Sequence, residues 1–186
     1  MAAVKPAEAA AALPPSQDPA PAAAHANAAV KPRWPLLETR IPAPVAATLA
    51  AAGMWLYARW AHLTTDGPAW RVAVAVAMAQ ASALIALVAF ATFWRAHTTI
   101  NPFQPQRAAR LVTHGIFRVS RNPMYLSLAL LLAGYAVRLG SVAALAGPAA
   151  FVCYMTRFQI VPEERVLSAK FGDAYRAYIR QTRRWI

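Results

Sequence analysis

Acidic residues and cysteine are scarce in this chain. Its 186 residues include only 7 aspartates and glutamates, against 19 lysines and arginines. The single cysteine, Cys153, lies inside an apolar run, so an intrachain disulfide is excluded and a packing role is expected. Because acidic residues are so few, a place where two of them stand side by side draws attention as a candidate for function.

The excess of positive charge accompanies long apolar runs. A formal net charge of +12 and a pI of about 11.1 would suit nucleic-acid binding, yet 59% of the residues are hydrophobic and the mean hydropathy is positive. The basic residues stand at the ends of the apolar runs, as the positive-inside rule describes for membrane proteins. The sequence therefore predicts an integral membrane protein with no nucleic-acid partner.

The first 35 residues form a separate segment of mostly alanine and proline. This composition offers little large apolar surface to bury and repeats helix breakers, so residues 1–35 are predicted to be a disordered tail. The segment also lacks the charged start and compact Leu-rich core of a secretory signal peptide. We expect one membrane-embedded domain over residues 36–186.

Four apolar runs follow the tail, and they predict an all-α fold of about four transmembrane helices. A helix that crosses the hydrocarbon needs about 20 apolar residues. The third run is short for a full crossing, and a turn at Arg138–Ser141 joins it to the fourth as a helical hairpin. The predicted spans are Pro42–Trp60, Trp70–Trp94, Pro123–Val137 and Val142–Val161.

The distribution of lysine and arginine predicts the orientation of these spans. Basic residues are concentrated before the first run, between the second and third, and after the fourth. By the positive-inside rule these three segments face the cytoplasm, with an even number of spans between the termini. We expect a multi-pass protein of a bacterial inner membrane or an equivalent membrane, with the N- and C-termini and the last helices on the cytoplasmic side.

The link between the second and third runs ends in the segment LVTHGIFRVSRNPMY, residues 111–125. It contains a glycine-centred turn and then a helix start at Asn122-Pro123, because asparagine is a preferred N-cap and proline a preferred first helical residue. The unpaired N–H groups of such a helix start, flanked by Arg118 and Arg121, would suit a carboxylate or a phosphate.

Two adjacent glutamates, Glu163 and Glu164, follow Pro162 after the fourth run. They belong to the first turn of a new helix, where they could simply complement the helix dipole. Their position on the same membrane face as residues 111–125 favours a site instead. The helix that follows is amphipathic, and Phe171-Gly172-Asp173 predicts a break that divides it into two interfacial pieces.

These motifs together resemble the isoprenylcysteine carboxyl methyltransferase and phospholipid methyltransferase superfamily of integral membrane enzymes. The resemblance covers about residues 101–186, the expected catalytic core, through LVTHGIFRVSRNPMY and PEERVLSAKFGDAYRAY. It implies S-adenosylmethionine as the methyl donor, bound on the cytoplasmic side, and a lipophilic acceptor that enters from the bilayer. Such a transfer needs neither a metal nor a covalent nucleophile.

The expected cofactor contacts lie in residues 111–125 and at the first glutamate. Glu163 would bind the ammonium or ribose of the donor, and Arg121 or the helix start would bind its carboxylate. Phe117 and Tyr125 would contact the adenine or the sulfonium. The full set of expected cofactor residues is Leu111, Val112, Phe117, Arg121, Asn122, Pro123, Met124, Tyr125 and Glu163.

On the acceptor side, the resemblance points to Arg157 and Gln159. A carboxylate or thiolate acceptor would need no general base, whereas an amine would have to lose a proton to Glu164 or His114. Protein carboxyl methyltransferases of the superfamily carry an arginine four residues before the glutamate, where this chain has Gln159. A phospholipid amine or small thiol acceptor is therefore an alternative to an isoprenylcysteine-like carboxylate.

Two further readings stay open at the level of sequence. A membrane reductase of the sterol type shares a similar C-terminal region but uses a nicotinamide phosphate cofactor. A non-catalytic lipid-binding membrane protein would use its arginines only for headgroups.

Overall fold

A computed structural model describes residues 40–63, 67–95 and 111–186. Within these ranges the fold is all-helical, and the only pairing of extended backbone is an isolated parallel bridge between Ser120 and Arg183. The predicted all-α class is confirmed for this part of the chain. The predicted tail and the start of the catalytic core near residue 101 lie outside the described residues. The helices are α1 (Ala43–Trp60), α2 (Ala69–Arg95), α3 (Pro123–Leu139), α4 (Ala146–Met155) and α5 (Val161–Gln181).

The first three helices begin and end close to the predicted residues. α3 starts at Pro123, with Asn122 as its N-cap residue, and ends at Leu139 because Gly140 adopts the left-handed conformation (φ 65°, ψ 23°). The prediction was wrong on one detail, since the Asn122 side chain makes no capping hydrogen bond. Its amide Nδ2 instead donates to the Arg184 carbonyl at 3.0 Å.

The predicted fourth span is not a separate helix. A short 3₁₀ turn over Val142–Leu145 leads into α4, and a π-helical turn over Thr156–Ile160 joins α4 directly to α5. The helical path thus continues past Pro162. We attribute this to the wider turn, which relieves the clash of a proline ring with the preceding carbonyls. The predicted break at Gly172 is confirmed by its non-helical angles (φ 51°, ψ −122°) inside α5.

Two helical stretches of the described residues are long and apolar enough to cross a membrane, namely Ala69–Arg95 and the continuous path Val142–Gln181. α3 is shorter, and α1 is not among the stretches that qualify. Only 11% of the most apolar window of α2 is buried among the described residues, whereas the core helix of a soluble protein is mostly buried. Large apolar side chains such as Leu87 (64% exposed) and Trp60 (79% exposed) face outward. These features indicate association with a membrane.

Small residues allow α2 and α3 to pack closely. A Cβ at Gly134 of α3 would come within 3.3 Å of the Ala75 carbonyl of α2, and the Ser82 hydroxyl donates to the Ser127 carbonyl at 2.7 Å. α1, α3 and α4 share a second contact region built on residues such as Met54 and Phe151. α3 is therefore the central helix of the bundle, in contact with α1, α2 and α4, and its small residues allow the close approach.

Replacing Gly140 with alanine should destabilise the fold. An L-residue in the left-handed conformation costs about 1–2 kcal/mol, and the new Cβ would also overlap the Arg71 guanidinium. The matched control is Gly53→Ala inside α1, where a Cβ meets nothing within 4 Å and stability should hold or rise by up to about 1 kcal/mol. Thermal unfolding in detergent measures both variants. A Gly140→Ala melting temperature equal to that of the wild type would contradict this account.

Candidate functional site

The start of α3 meets the junction of α4 and α5. The Tyr125 hydroxyl donates to Oε1 of Glu163 at 2.6 Å, and the Gln159 amide Nε2 donates to the same oxygen at 2.7 Å. Gln159 is fully buried and sits one helical turn before Glu163. The end of α4 thus returns to the level of the α3 start, as the predicted hairpin requires.

Both partners of Glu163 in this cluster are neutral. Glu163 lies beyond Pro162, where α5 contains many charged residues and no longer has the continuous apolar sequence of a membrane span. Burial raises the pKa of Glu163 to about 7, although the hydrogen bonds from Tyr125 and Gln159 lower it. The site therefore holds a carboxyl group whose negative charge, once formed, is not cancelled by these two neighbours.

Glu164 lies in a different environment. Its carboxylate accepts a bond from Arg121 at 2.8 Å and a bidentate pair from Arg184 at 2.6 and 3.0 Å. Burial alone would raise the pKa of Glu164, but the hydrogen bonds and charges of Arg184 and Arg121 lower it. A carboxylate held in this way is a poor proton acceptor, so these contacts favour a structural role for Glu164 over the general-base role that the sequence suggested.

Arg121 joins three parts of the chain. Besides Glu164, its guanidinium donates to the carbonyls of Ile179 (3.2 Å) and Thr182 (2.8 Å), and only 8% of the side chain is exposed. Its Nε is buried and has no hydrogen-bond partner among the described residues. A buried donor without a partner is costly, which makes Nε a suitable contact for an anionic group.

The segment after α5 runs alongside the start of α3. The Arg183 carbonyl accepts from the Arg121 backbone N–H at 3.0 Å, and the Arg184 carbonyl accepts from Asn122. The Trp185 indole N–H donates to the Thr156 hydroxyl at 3.1 Å. Sequence reasoning missed Arg184. The signal that could have found it is the scarcity of acidic residues, because a buried glutamate in so basic a chain needs a cationic partner.

The residues before α3 form a small apolar cluster. Gly115 has a positive φ of 62° and opens a 3₁₀ turn, which confirms the predicted glycine-centred turn. Phe117 of that turn is buried and meets Phe93 of α2 edge-on at 4.8 Å between ring centroids. The Tyr178 hydroxyl donates to the Phe117 carbonyl at 2.7 Å. Val112 and Met124 belong to the same cluster.

The structure brings most, but not all, of the expected residues together. His114 is exposed at the start of the 3₁₀ turn, and Arg157 is exposed with its guanidinium over the Phe158 ring at 5.3 Å from the centroid. Leu111 is half-buried at the edge of the described range. The residues that meet around the α3 start are Arg121, Asn122, Pro123, Tyr125, Gln159, Glu163 and Glu164.

Comparison with known proteins gives one family. A family model described as phospholipid methyltransferase matches residues 70–174, more than half of the chain, and this range contains nearly all of α2, the whole of α3 and both glutamates. An uncharacterised protein of Haemophilus influenzae is 44% identical over 63 residues, which are the whole of that protein and 34% of this chain. No solved structure matches.

Removing the Arg184 side chain should lower the stability of the fold around Glu164. Arg184→Gln leaves Glu164 with Arg121 alone, and the loss of charged hydrogen bonds should lower the free energy of unfolding by about 1–2 kcal/mol, since the arginine is partly exposed. Arg183→Gln removes the same charge from an exposed neighbour and should change it by less than about 0.5 kcal/mol. Thermal unfolding in detergent measures the loss of stability in each of the two variants. Equal losses would show that net charge, and not the Glu164 pair, is responsible.

Proposed function

Because the chain belongs to the phospholipid methyltransferase family, whose members are methyltransferases for lipid-related substrates, we propose that it is an S-adenosylmethionine-dependent integral membrane methyltransferase. Its acceptor is lipophilic and delivered from the membrane. The observation that carries the proposal is the Glu163 carboxylate in the first turn of α5, which lies partly buried against the start of α3 with neutral hydrogen-bond donors around it.

The residues of this cluster fit the charges of the proposed donor. S-adenosylmethionine supplies a methyl group on a positively charged sulfur, beside an ammonium and a carboxylate. Ionised Glu163 attracts the positive groups, and Tyr125 with Gln159 holds its carboxylate in one orientation. The contrast with Glu164 supports this assignment, because two arginines already neutralise the second glutamate.

The negative end of the donor has two possible contacts nearby. The backbone N–H groups of Met124 and Tyr125 are in the first turn of α3, where no intrahelical acceptor exists. The buried Nε of Arg121 is the other, and the helix dipole adds to the attraction. These groups support the expected role of the α3 start in holding a carboxylate.

The acceptor is the less constrained partner. An isoprenylcysteine-like carboxylate is the first candidate, and exposed Arg157 is the cation that could attract it. A phospholipid amine or a small thiol is the second candidate, favoured by Gln159. This residue stands where related carboxyl methyltransferases have arginine, and its amide is bonded to Glu163.

We also propose a multi-pass topology with both termini and the Glu163 cluster on the cytoplasmic side. The contacts between the α3 start, the α4–α5 junction and residues 182–185 support it, because they bring the basic segments to one face. The family match favours methyl transfer over the reductase alternative.

Donor binding should depend on pH through Glu163. Since the pKa of Glu163 is raised to about 7, affinity should increase as pH rises from about 5.5 to 7.5 and the carboxyl ionises, while the donor's amino group stays protonated up to about 7.7. Glu163→Gln should abolish this dependence and weaken binding about tenfold or more at pH 7.5. Calorimetry in detergent measures both, with Asp173→Asn, an exposed carboxylate, as control.

The stability of the free protein should change in the opposite direction. The folded pKa of Glu163 lies above its usual value of 4.5, so the folded state binds the proton more tightly. The stability that this provides is complete below about pH 4.5 and is lost as pH rises towards 7.

A donor affinity that is flat with pH and unchanged in Glu163→Gln would refute the assignment of Glu163.

Isotopically labelled donor should reveal the acceptor. Membranes containing the chain are incubated with labelled S-adenosylmethionine and either lipid extract or a panel of lipophilic carboxylates, amines and thiols, followed by mass spectrometry. We expect label in a lipophilic product that Glu163→Gln does not form. A methyl ester releases methanol in base, whereas N-methyl and S-methyl products do not. Donor binding without any labelled product would instead favour a lipid-binding protein.

A further inference from the structure

A groove of about 620 Å³ lies between α1, α2 and α3 and contains none of the candidate site residues. Its lining is almost entirely apolar, and its volume is in the range of small-molecule sites, about 300–1,000 Å³. The groove exists because residues on the facing helices are too small to fill the space between them. These small residues are Ala47, Ala51, Ala75, Ala79 and Gly134.

The length of the groove matches half a bilayer. It follows α3 from Leu128 to Arg138, about ten residues, which is about 15 Å of helix. The hydrocarbon core of a bilayer is about 30 Å thick, so one leaflet contributes about 15 Å. The groove therefore has the length of a single acyl chain that belongs to one leaflet.

Two arginines stand at one end of this groove. Arg138 lines it at the last turn of α3. The Arg71 guanidinium lies against Gly140, just past that turn, and Arg71 precedes Val72, which also lines the groove. Arg71 stacks on the Trp70 ring at 5.6 Å from its centroid, and tryptophan is typical of the headgroup boundary. The apolar groove thus ends in positive charge at the level of lipid headgroups.

We propose that this groove binds one acyl chain of an anionic glycerophospholipid, with the lipid phosphate held between Arg71 and Arg138. The site lies at the end of α3 opposite Tyr125, so it differs from the proposed donor site. The proposal rests on the membrane embedding proposed above and does not depend on the methyl-donor assignment. Charge complementarity selects the headgroup, and the length and apolar lining of the groove select the chain.

Lipid competition tests the headgroup selection. The full chain, purified in detergent, is exposed to equal amounts of dioleoyl phosphatidylglycerol and dioleoyl phosphatidylcholine, and the retained lipid is measured by native mass spectrometry. We expect phosphatidylglycerol to be enriched, and Arg71→Gln and Arg138→Gln each to reduce its retention about fivefold. Arg59→Gln removes the same charge from an exposed position at the end of α1 and should have no effect.

A second pair of variants tests the groove itself. Ala79→Leu fills the groove and should reduce retention of both lipids, whereas Ala77→Leu adds the same volume on an exposed part of α2 and should not. Circular dichroism confirms that each variant is folded. Equal retention of the two lipids by the wild type, or equal effects of Ala79→Leu and Ala77→Leu, would overturn the proposal.

The two proposals can fail separately. Alkaline extraction of membranes shows whether the chain is embedded, and the labelled-donor assay reports methyl transfer. An embedded, active protein that retains no phosphatidylglycerol would overturn the lipid site alone. A protein released by alkaline extraction would overturn both the lipid site and the proposed embedding.

Discussion

The ion pair of Glu164 with Arg121 and Arg184 holds the candidate site together. It joins Arg121 in the segment before α3, the first turn of α5 and the segment that follows α5. Desolvating such a pair costs free energy, and the cost is offset only when the remaining donors are also bonded. Arg121 meets that condition in part, through the carbonyls of Ile179 and Thr182. The start of α3 is consequently fixed against α5, and the geometry around Glu163 depends on that.

Glu163 and Glu164 are adjacent in sequence but have opposite electrostatic properties. Neighbouring residues on a helix point about 100° apart, so the two carboxylates meet different partners. Two arginines neutralise Glu164 and lower its pKa, whereas burial raises the pKa of Glu163. Titratable neighbours whose pKa values are driven apart are a common feature of active sites. One glutamate is thus available to a cationic ligand because the other already serves as the structural anchor.

The π-helical turn before Pro162 contributes to this arrangement. It contains Gln159, which is buried and bonded to Glu163 one turn later. Turns of this kind occur frequently at functional sites, because the extra residue reorients side chains without ending the helix. Here the turn also lets the path from Val142 continue to Gln181. The same irregularity that accommodates the proline therefore helps to orient the site.

By itself the sequence determined the helical class, the start of α3, the hairpin with its turn at Gly140, and the break at Gly172. Helix caps, glycines and long apolar runs act locally, so the sequence alone is enough to predict these features. It also singled out Glu163, Glu164 and Tyr125 through their motif. Only the tertiary structure decided which glutamate is neutralised, that Asn122 bonds to Arg184 instead of capping α3, and that His114 and Arg157 lie outside the cluster. The hydrogen bonds of Glu164 and Asn122 join residues 20 to 62 positions apart in the chain. A local sequence pattern does not show which of the distant residues will be the partner.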